Sequence, residues 1–151
     1  MRFLLDTNIL TRLASSDDHL PGIADSAVRT LTDRGDALVV VPQNLYEFWF
    51  VATRPLSNNG LGMSGAQAHV ILEHWRGSAE FAPDNLQLTD QWQQLVLQHD
   101  VKGKNAHDAR LVAAMMIHGI PKLLTFNTRD FVRYGINAVD PAQVIAAGGQ
   151  L

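Results

Sequence analysis

Apolar residues fall along the chain in short continuous runs, separated by longer stretches with helical spacing. Arg2 to Leu5, Ala37 to Val41, Leu123 to Phe126 and Ile136 to Val139 are such runs, and Glu80 to Ala82 is a weaker one. Short apolar runs bounded by turn residues predict strands buried on both faces. Between them the period changes to 3.6. Pro21 stands at a first helical position, and Ile23, Ala27, Val28 and Leu31 form a stripe closed by Gly35. Gln43 to Arg54 predicts a helix stopped by Pro55. Ser64 and Gln67 make a capping box ahead of Val70, Ile71 and Trp75. Asp90 to His99 carries Trp92, Leu95 and Val96; Ala106 to His118 carries Leu111, Val112, Met115 and Met116 and ends at Gly119. Strands alternating with helices predict an α/β fold, a three-layer α/β/α sandwich around a mainly parallel sheet. Pro55 to Gly65 reads as the largest loop and a candidate for mobility, with turn chemistry at Ser57-Asn58-Asn59-Gly60.

Composition narrows the class. The 151 residues show no repeat, low-complexity tract or linker, so one domain over 1–151 is expected. Apolar residues make up 46% and charged residues 18%, enough for a core without staples. Cysteine is absent, which excludes a disulfide scaffold, a thiolate zinc site and a cysteine nucleophile. No apolar run approaches the ~18 residues of a membrane span. The opening Met1-Arg2-Phe3-Leu4-Leu5-Asp6 turns acidic too early for a signal peptide, so the expected location is cytoplasmic, with no membrane contact. A net charge of −3 argues against coating nucleic acid by bulk electrostatics.

The informative acids lie where strands end, the edge at which open α/β sheets bind ligands. Asp6 follows the first strand and precedes Thr7 and Asn8. Glu47 lies on the helix after the second, embedded in Leu45-Tyr46-Glu47-Phe48-Trp49-Phe50. Asp108 sits in the first turn of a helix starting near Asn105, and Asp130 comes after the strand Leu123 to Phe126, behind Asn127, Thr128 and Arg129. Each has an ordinary alternative. Asp6 and Asp130 are suited to cap a turn. Asp108 suits a helix dipole. Glu47 shares a face with Gln43, Val51 and Arg54, and a Glu47–Arg54 surface pair would account for it. Together the four change the reading. Clustered carboxylates repel and raise one another's pKa unless a cation is present. All-oxygen donors suit Mg²⁺, with Mn²⁺ plausible, and no His₂Glu or cysteine spacing favours zinc. His107, beside Asp108, is a candidate general base or a structural histidine. The Phe48-Trp49-Phe50 run is a candidate for base stacking or for core and interface packing.

The same residues carry a resemblance. Leu4-Leu5-Asp6-Thr7-Asn8-Ile9-Leu10, Pro42-Gln43-Asn44-Leu45-Tyr46-Glu47-Phe48-Trp49, His107-Asp108-Ala109-Arg110-Leu111-Val112-Ala113 and Leu124-Thr125-Phe126-Asn127-Thr128-Arg129-Asp130-Phe131 resemble, in order, the four acidic motifs of PIN-domain nucleases. The chain is most similar to VapC-type ribonuclease toxins of toxin–antitoxin pairs. That resemblance implies a Mg²⁺- or Mn²⁺-dependent endoribonuclease acting on RNA through a metal-activated water, leaving a 5′-phosphate and a 3′-hydroxyl. It also implies a homodimer and a VapB-like antitoxin partner. Carried over position by position, Asp6, Glu47 and Asp108 match the metal-binding acids. The fourth position falls at Asn127 in some members and at Asp130 in others; Asp130 is preferred, with Asn127 hydrogen-bonding behind it. Thr7, Asn8 and Thr125 are candidates to orient carboxylates or water, or to act as caps and turn residues.

Two other readings share Asp6. One is an RNA-processing nuclease of the same fold without an antitoxin. The other is an aspartate-nucleophile phosphatase or phosphotransferase, which needs a second acid two residues on, where this chain has Asn8. The charge also reads differently once the acids are assigned. Setting the four aside leaves 11 acids against 12 bases, and eight of those bases lie within seven residues of a proposed ligand. Such a chain can bind phosphate locally around one metal-neutralised centre.

Overall fold

The computed structural model describes residues 1–15 and 22–148; Pro21 lies outside them. Its strands are β1 (Arg2–Leu5), β2 (Ala37–Val40), β3 (Glu80–Phe81), β4 (Lys122–Leu124) and β5 (Asn137–Val139). Its helices are α1 (Thr7–Ala14), α2 (Ile23–Asp33), α3 (Pro42–Thr53), α4 (Gly65–Ser78), α5 (Leu88–Gln98), α6 (Asn105–His118) and α7 (Pro141–Ala146). The strands form one sheet in the order β3-β2-β1-β4-β5, and every pairing is parallel. Parallel pairing puts all the strand C-termini on one edge.

Period-2 alternation splits the core into two layers. Phe3 and Leu5 of β1, with Val40 and Leu124, face a layer built from α1, α2, α3, α4 and α7. Leu4, Val39 and Leu123 face the opposite way, against α5, α6 and Phe131. The sheet is therefore covered on both sides, which explains why its strands carry uninterrupted apolar runs.

The differences from the sequence expectations have local causes. The strand expected over 123–126 ends at Leu124, because Thr125 and Phe126 turn toward Asp6, just past β1, and Asn8 on α1. The Thr125 hydroxyl donates to Asp6, and the Phe126 amide approaches Asn8 Oδ1 at 3.4 Å. Val41 leaves β2 because its amide donates to Asn44 Oδ1 at 2.8 Å and opens α3. α1 replaces an expected turn. The Asp140-x-x-Gln143 box with Pro141 at the first position starts α7, an element absent from the sequence reading.

The Pro55–Gly65 loop is anchored. Leu61, Gly62 and Met63 donate to the carbonyls of Val51, Arg54 and Ala52. Gly60 passes so close to Arg54 that a Cβ would lie 1.9 Å from its carbonyl oxygen, so only glycine fits there.

The capping box on α4 forms as expected. Gln67 N donates to Ser64 Oγ at 3.2 Å and Ser64 N donates to Gln67 Oε1 at 2.9 Å. Ser64→Ala is expected to cost about 1 kcal/mol, read as a fall in Tm of about 2–4 °C by calorimetry.

Candidate active site

Asp6 is the first residue past β1, and its amide continues the ladder by donating to Leu124 O at 2.9 Å. Its carboxylate is nearly buried, 8% exposed, and points toward the end of β4. There Oδ2 accepts from Thr125 Oγ1 at 2.6 Å and from Asn8 Nδ2 at 3.1 Å. Asn8 Nδ2 also donates to Thr125 Oγ1 at 3.2 Å. Burial pushes the Asp6 pKa up, the Thr125 hydrogen bond opposes this, and the charge on Glu47 adds to the rise. Asp6 precedes α1 as its N-cap residue but makes no side-chain capping bond of ordinary geometry; its oxygen is turned to Thr125 instead.

Glu47 projects from α3 toward the same edge. Oε2 accepts from Thr7 Oγ1 at 2.7 Å, and Oε1 accepts from Gln43 Nε2 at 2.7 Å. Thr7 lies one residue past Asp6, so α1 supplies a donor to one acid while Thr125 holds the other. Arg54, the expected surface partner, instead donates to Asn59 O and lies over the Phe50 ring at 5.2 Å. The helix face shared with Gln43 is as expected; the ion pair is absent.

Asp108 lies in the first turn of α6, half-buried, and is followed by the buried Ala109. Its pKa is pushed up to about 6, first by burial and then by the charges of Asp6, Asp130 and Glu47 in that order, while His107 opposes the rise. That coupling is the most direct physical link among the four acids. They come from the end of β1, from α3, from α6 and from the segment after β4, yet three of them act on the carboxyl of the fourth, Asp108. Asp130 sits in a 3₁₀ segment, Thr128–Tyr134, entered from Asn127. Both Asn127 and Asp130 are exposed. The Asn127 amide donates to Thr125 Oγ1 at 3.0 Å, so Thr125 joins Asn127 to Asp6.

Among the described residues, no three acidic or imidazole groups close around a point as a preformed cage. Asp6, Asp130 and Glu47 act through space on Asp108. A hard cation that keeps several waters takes few protein ligands directly. The donor set is all oxygen, and like-charge coupling is what such a cation relieves. The residues present therefore fit a Mg²⁺-type ion.

A cleft of about 530 Å³ opens beside Glu47 and Asp108, with Tyr46, Phe50 and His107 on its walls. The aromatic run divides there. Phe48 is fully buried in the core, whereas Tyr46 and Phe50 are 63% and 65% exposed. The bases near the acids divide as well. Arg2 pairs with Glu80 away from this edge, and Lys102 pairs with Asp100 at 2.9 Å. Arg12 lies over the Phe126 ring at 5.3 Å, beside the end of β4.

Gln43 and Asn44 were not among the sequence candidates. Asn44 is fully buried and donates to Leu5 O at 2.8 Å. The available signal was their place one turn ahead of Glu47 at the start of an otherwise apolar helix.

The PIN domain family profile matches residues 3–137. No curated protein is similar enough in sequence to match. Solved structures share the fold at low identity. The VapBC2 complex of Rickettsia felis, bound to a DNA fragment from its promoter, has a chain 15% identical with a TM-score of 0.71, covering 93% of this chain and 98% of that one. VapBC-1 of nontypeable Haemophilus influenzae gives 17% identity, a TM-score of 0.66, and coverage of 94% and 99%. VapC20 of Mycobacterium tuberculosis, a toxin that cleaves the sarcin–ricin loop, gives 20%, 0.65, and coverage of 89% and 95%.

Proposed function

The chain belongs to the PIN-domain family, and from that premise we propose that it is a Mg²⁺-dependent endoribonuclease, the toxin of a VapBC-type pair. The observation that carries this reading is the convergence at the C-terminal edge of the sheet of Asp6, held by Thr125 and Asn8, and Glu47, held by Thr7 and Gln43, with Glu47 and Asp108 lining one cleft. A hard divalent ion held by these acids would polarise a phosphodiester and lower the pKa of water.

The chain's own residues supply the rest. Thr125 and Asn8 fix the Asp6 oxygen; Thr7 and Gln43 fix both oxygens of Glu47. Burial and neighbouring charge oppose the ionised form of both Asp6 and Asp108, so a cation at this edge would favour both carboxylates. Thr7, Asn8 and Thr125 are thus positioning residues, and Asn127 joins them through its backbone amide on Thr125. Asp130, exposed at the rim, completes the charge.

The solved neighbours include VapBC and FitAB assemblies, which supports an antitoxin partner. A homodimer is proposed with it. Exposed Tyr46, Trp49 and Phe50 on α3 supply apolar surface for one of these partners or for RNA bases. Among the described residues no helix is long and apolar enough to cross a membrane, and a cytoplasmic location is proposed. A single nuclease domain over 1–151 is proposed on the continuity of the sheet and both core layers.

The test is cleavage of RNA by the purified protein in Mg²⁺, set against Asp6→Asn and against EDTA. Cleavage by the wild type alone is expected. Equal activity in both proteins, or none with Mg²⁺ or Mn²⁺, would sink the nuclease reading. Release of phosphate from small monoesters in the same tube would favour an Asp6-nucleophile phosphatase. That alternative is already disfavoured by Asn8, which donates to Asp6 where an acid would be needed.

A further inference from the structure

Gln43 is a nearly buried amide, 4% exposed, between the two helices that carry Glu47 and Asp108. Its Nε2 donates to Glu47 Oε1 at 2.7 Å and to His107 O at 2.8 Å. His107 immediately precedes Asp108, so one amide nitrogen touches one acid directly and the backbone beside the other. Its Oε1 accepts from Arg110 Nη1 at 3.2 Å. These partners leave the amide one orientation. Glu47 and the His107 carbonyl only accept, and a guanidinium only donates. Arg110 is itself held, because its Nη2 donates to Asp84 Oδ2 at 2.7 Å.

We infer that Asp84, Arg110 and Gln43 form a positioning relay that sets the separation of Glu47 from Asp108, and hence the affinity of the site for a divalent cation. This rests on the metal-dependent reading above. Gln43 is the spacer. Arg110 keeps its amide from flipping, and Asp84 keeps Arg110's fork in the plane that reaches Gln43. None of the three is a ligand, and Arg110 and Asp84 touch neither acid among the contacts described.

The sign of the Arg110 effect separates this from simple electrostatics. Removing a positive charge near an acidic site should tighten cation binding by Coulomb attraction. Losing the relay should weaken it, because Gln43 can then flip its oxygen toward Glu47 and repel it. Lysine keeps the charge of arginine but not the two-pronged geometry.

The experiment is Mn²⁺ titration of the full chain by EPR, with Tm in EDTA measured alongside. Gln43→Leu is expected to weaken Mn²⁺ binding about 10- to 100-fold, the usual effect of removing a group that orients a ligand. Arg110→Met is expected to weaken it about tenfold in the wild-type background and by under about twofold in the Gln43→Leu background. Arg110→Lys should behave like Arg110→Met. Tighter or unchanged Mn²⁺ binding by Arg110→Met, recovery by Arg110→Lys, or additive losses in the double variant would each overturn the relay. A lowered Tm with unchanged affinity would do so too, since that is what a purely structural role gives. If Gln43→Leu fails to fold, the sign of the Arg110→Met effect still decides. A wild type that binds no Mn²⁺ overturns the metal reading itself, and the relay falls with it.

Discussion

Replacing Asp108 with asparagine is expected to stabilise the metal-free protein at neutral pH and to remove metal-dependent cleavage in the same step. The folded-state pKa of Asp108 is pushed up to about 6 from an ordinary 3.8. A carboxyl whose folded pKa lies above its unfolded value destabilises the fold when ionised. Below about pH 4 it is protonated in both states and costs nothing. The cost grows as pH rises through 4 to 6 and is constant above. At about 1.36 kcal/mol per pKa unit the ceiling is about 3 kcal/mol, and partial exposure brings this to about 2 kcal/mol. Asparagine keeps the shape and carries no charge.

In EDTA at pH 7.5 the variant should therefore unfold about 4–8 °C above the wild type, with the gap closing by pH 4. Adding Mg²⁺ should raise the Tm of the wild type more than that of the variant, by mass action on the folded state. Cleavage should fall at least about 10²-fold, since a group offered directly to the ion outweighs one that only orients a ligand. Calorimetry across pH with and without Mg²⁺ measures both effects. A variant less stable than the wild type in EDTA at pH 7.5 would show that the carboxylate supports the fold.

The conflict between stability and function at Asp108 explains what was legible in the sequence. Asp6 could be placed because Phe3, Leu4 and Leu5 of β1 form an unbroken apolar run and the acid directly ends it. Glu47 and Asp108 followed from helix phasing. α1 was not legible, because Thr7, Asn8, Ile9 and Thr11 are poor helix formers. It is helical because Ile9 and Leu10 are fully buried against the sheet, a tertiary cause with no local signal. α7 did carry a signal, the Asp140–Gln143 box, but the Asp140-Pro141 pair also reads as a strand terminator. Gln43 shows the harder limit. Its spacing to Glu47 is local, but its bonds to His107 and Arg110 span 64 and 67 residues of chain. Side-chain contacts across that distance leave no periodicity to detect. Four acids in order could be read as a set, and so could Thr7, Asn8 and Thr125 beside them; Gln43, which joins two of the acids from different helices, could not.

Asn44 is where the fold and the site depend on one side chain, and its removal should cost the fold heavily. Its Oδ1 accepts from the Val41 amide at 2.8 Å and its Nδ2 donates to Leu5 O at 2.8 Å. One amide thereby ties the last residue of β1 to the start of α3, the two points from which Asp6 and Glu47 extend. Val41 and Leu5 are 1% and 0% exposed, so water cannot replace either bond. An unsatisfied buried backbone group costs about 1–3 kcal/mol. Asn44→Ala strands two and is expected to cost about 3 kcal/mol, a fall in Tm of about 6–12 °C. Asn44→Asp separates the two bonds. At neutral pH it keeps an acceptor for Val41 but turns a carboxylate oxygen on Leu5 O, so it should be at least as unstable as Asn44→Ala. Burial and that oxygen raise the pKa of the new carboxyl above the unfolded value of about 3.9. Its destabilisation relative to wild type should therefore shrink as pH falls, because the protonated acid can donate to Leu5 O. Denaturant unfolding of both variants and the wild type from pH 8 to pH 4.5 measures the gap. A gap that does not change with pH would mean that the bond to Leu5 O contributes nothing, and that Asn44 acts only as the cap of α3.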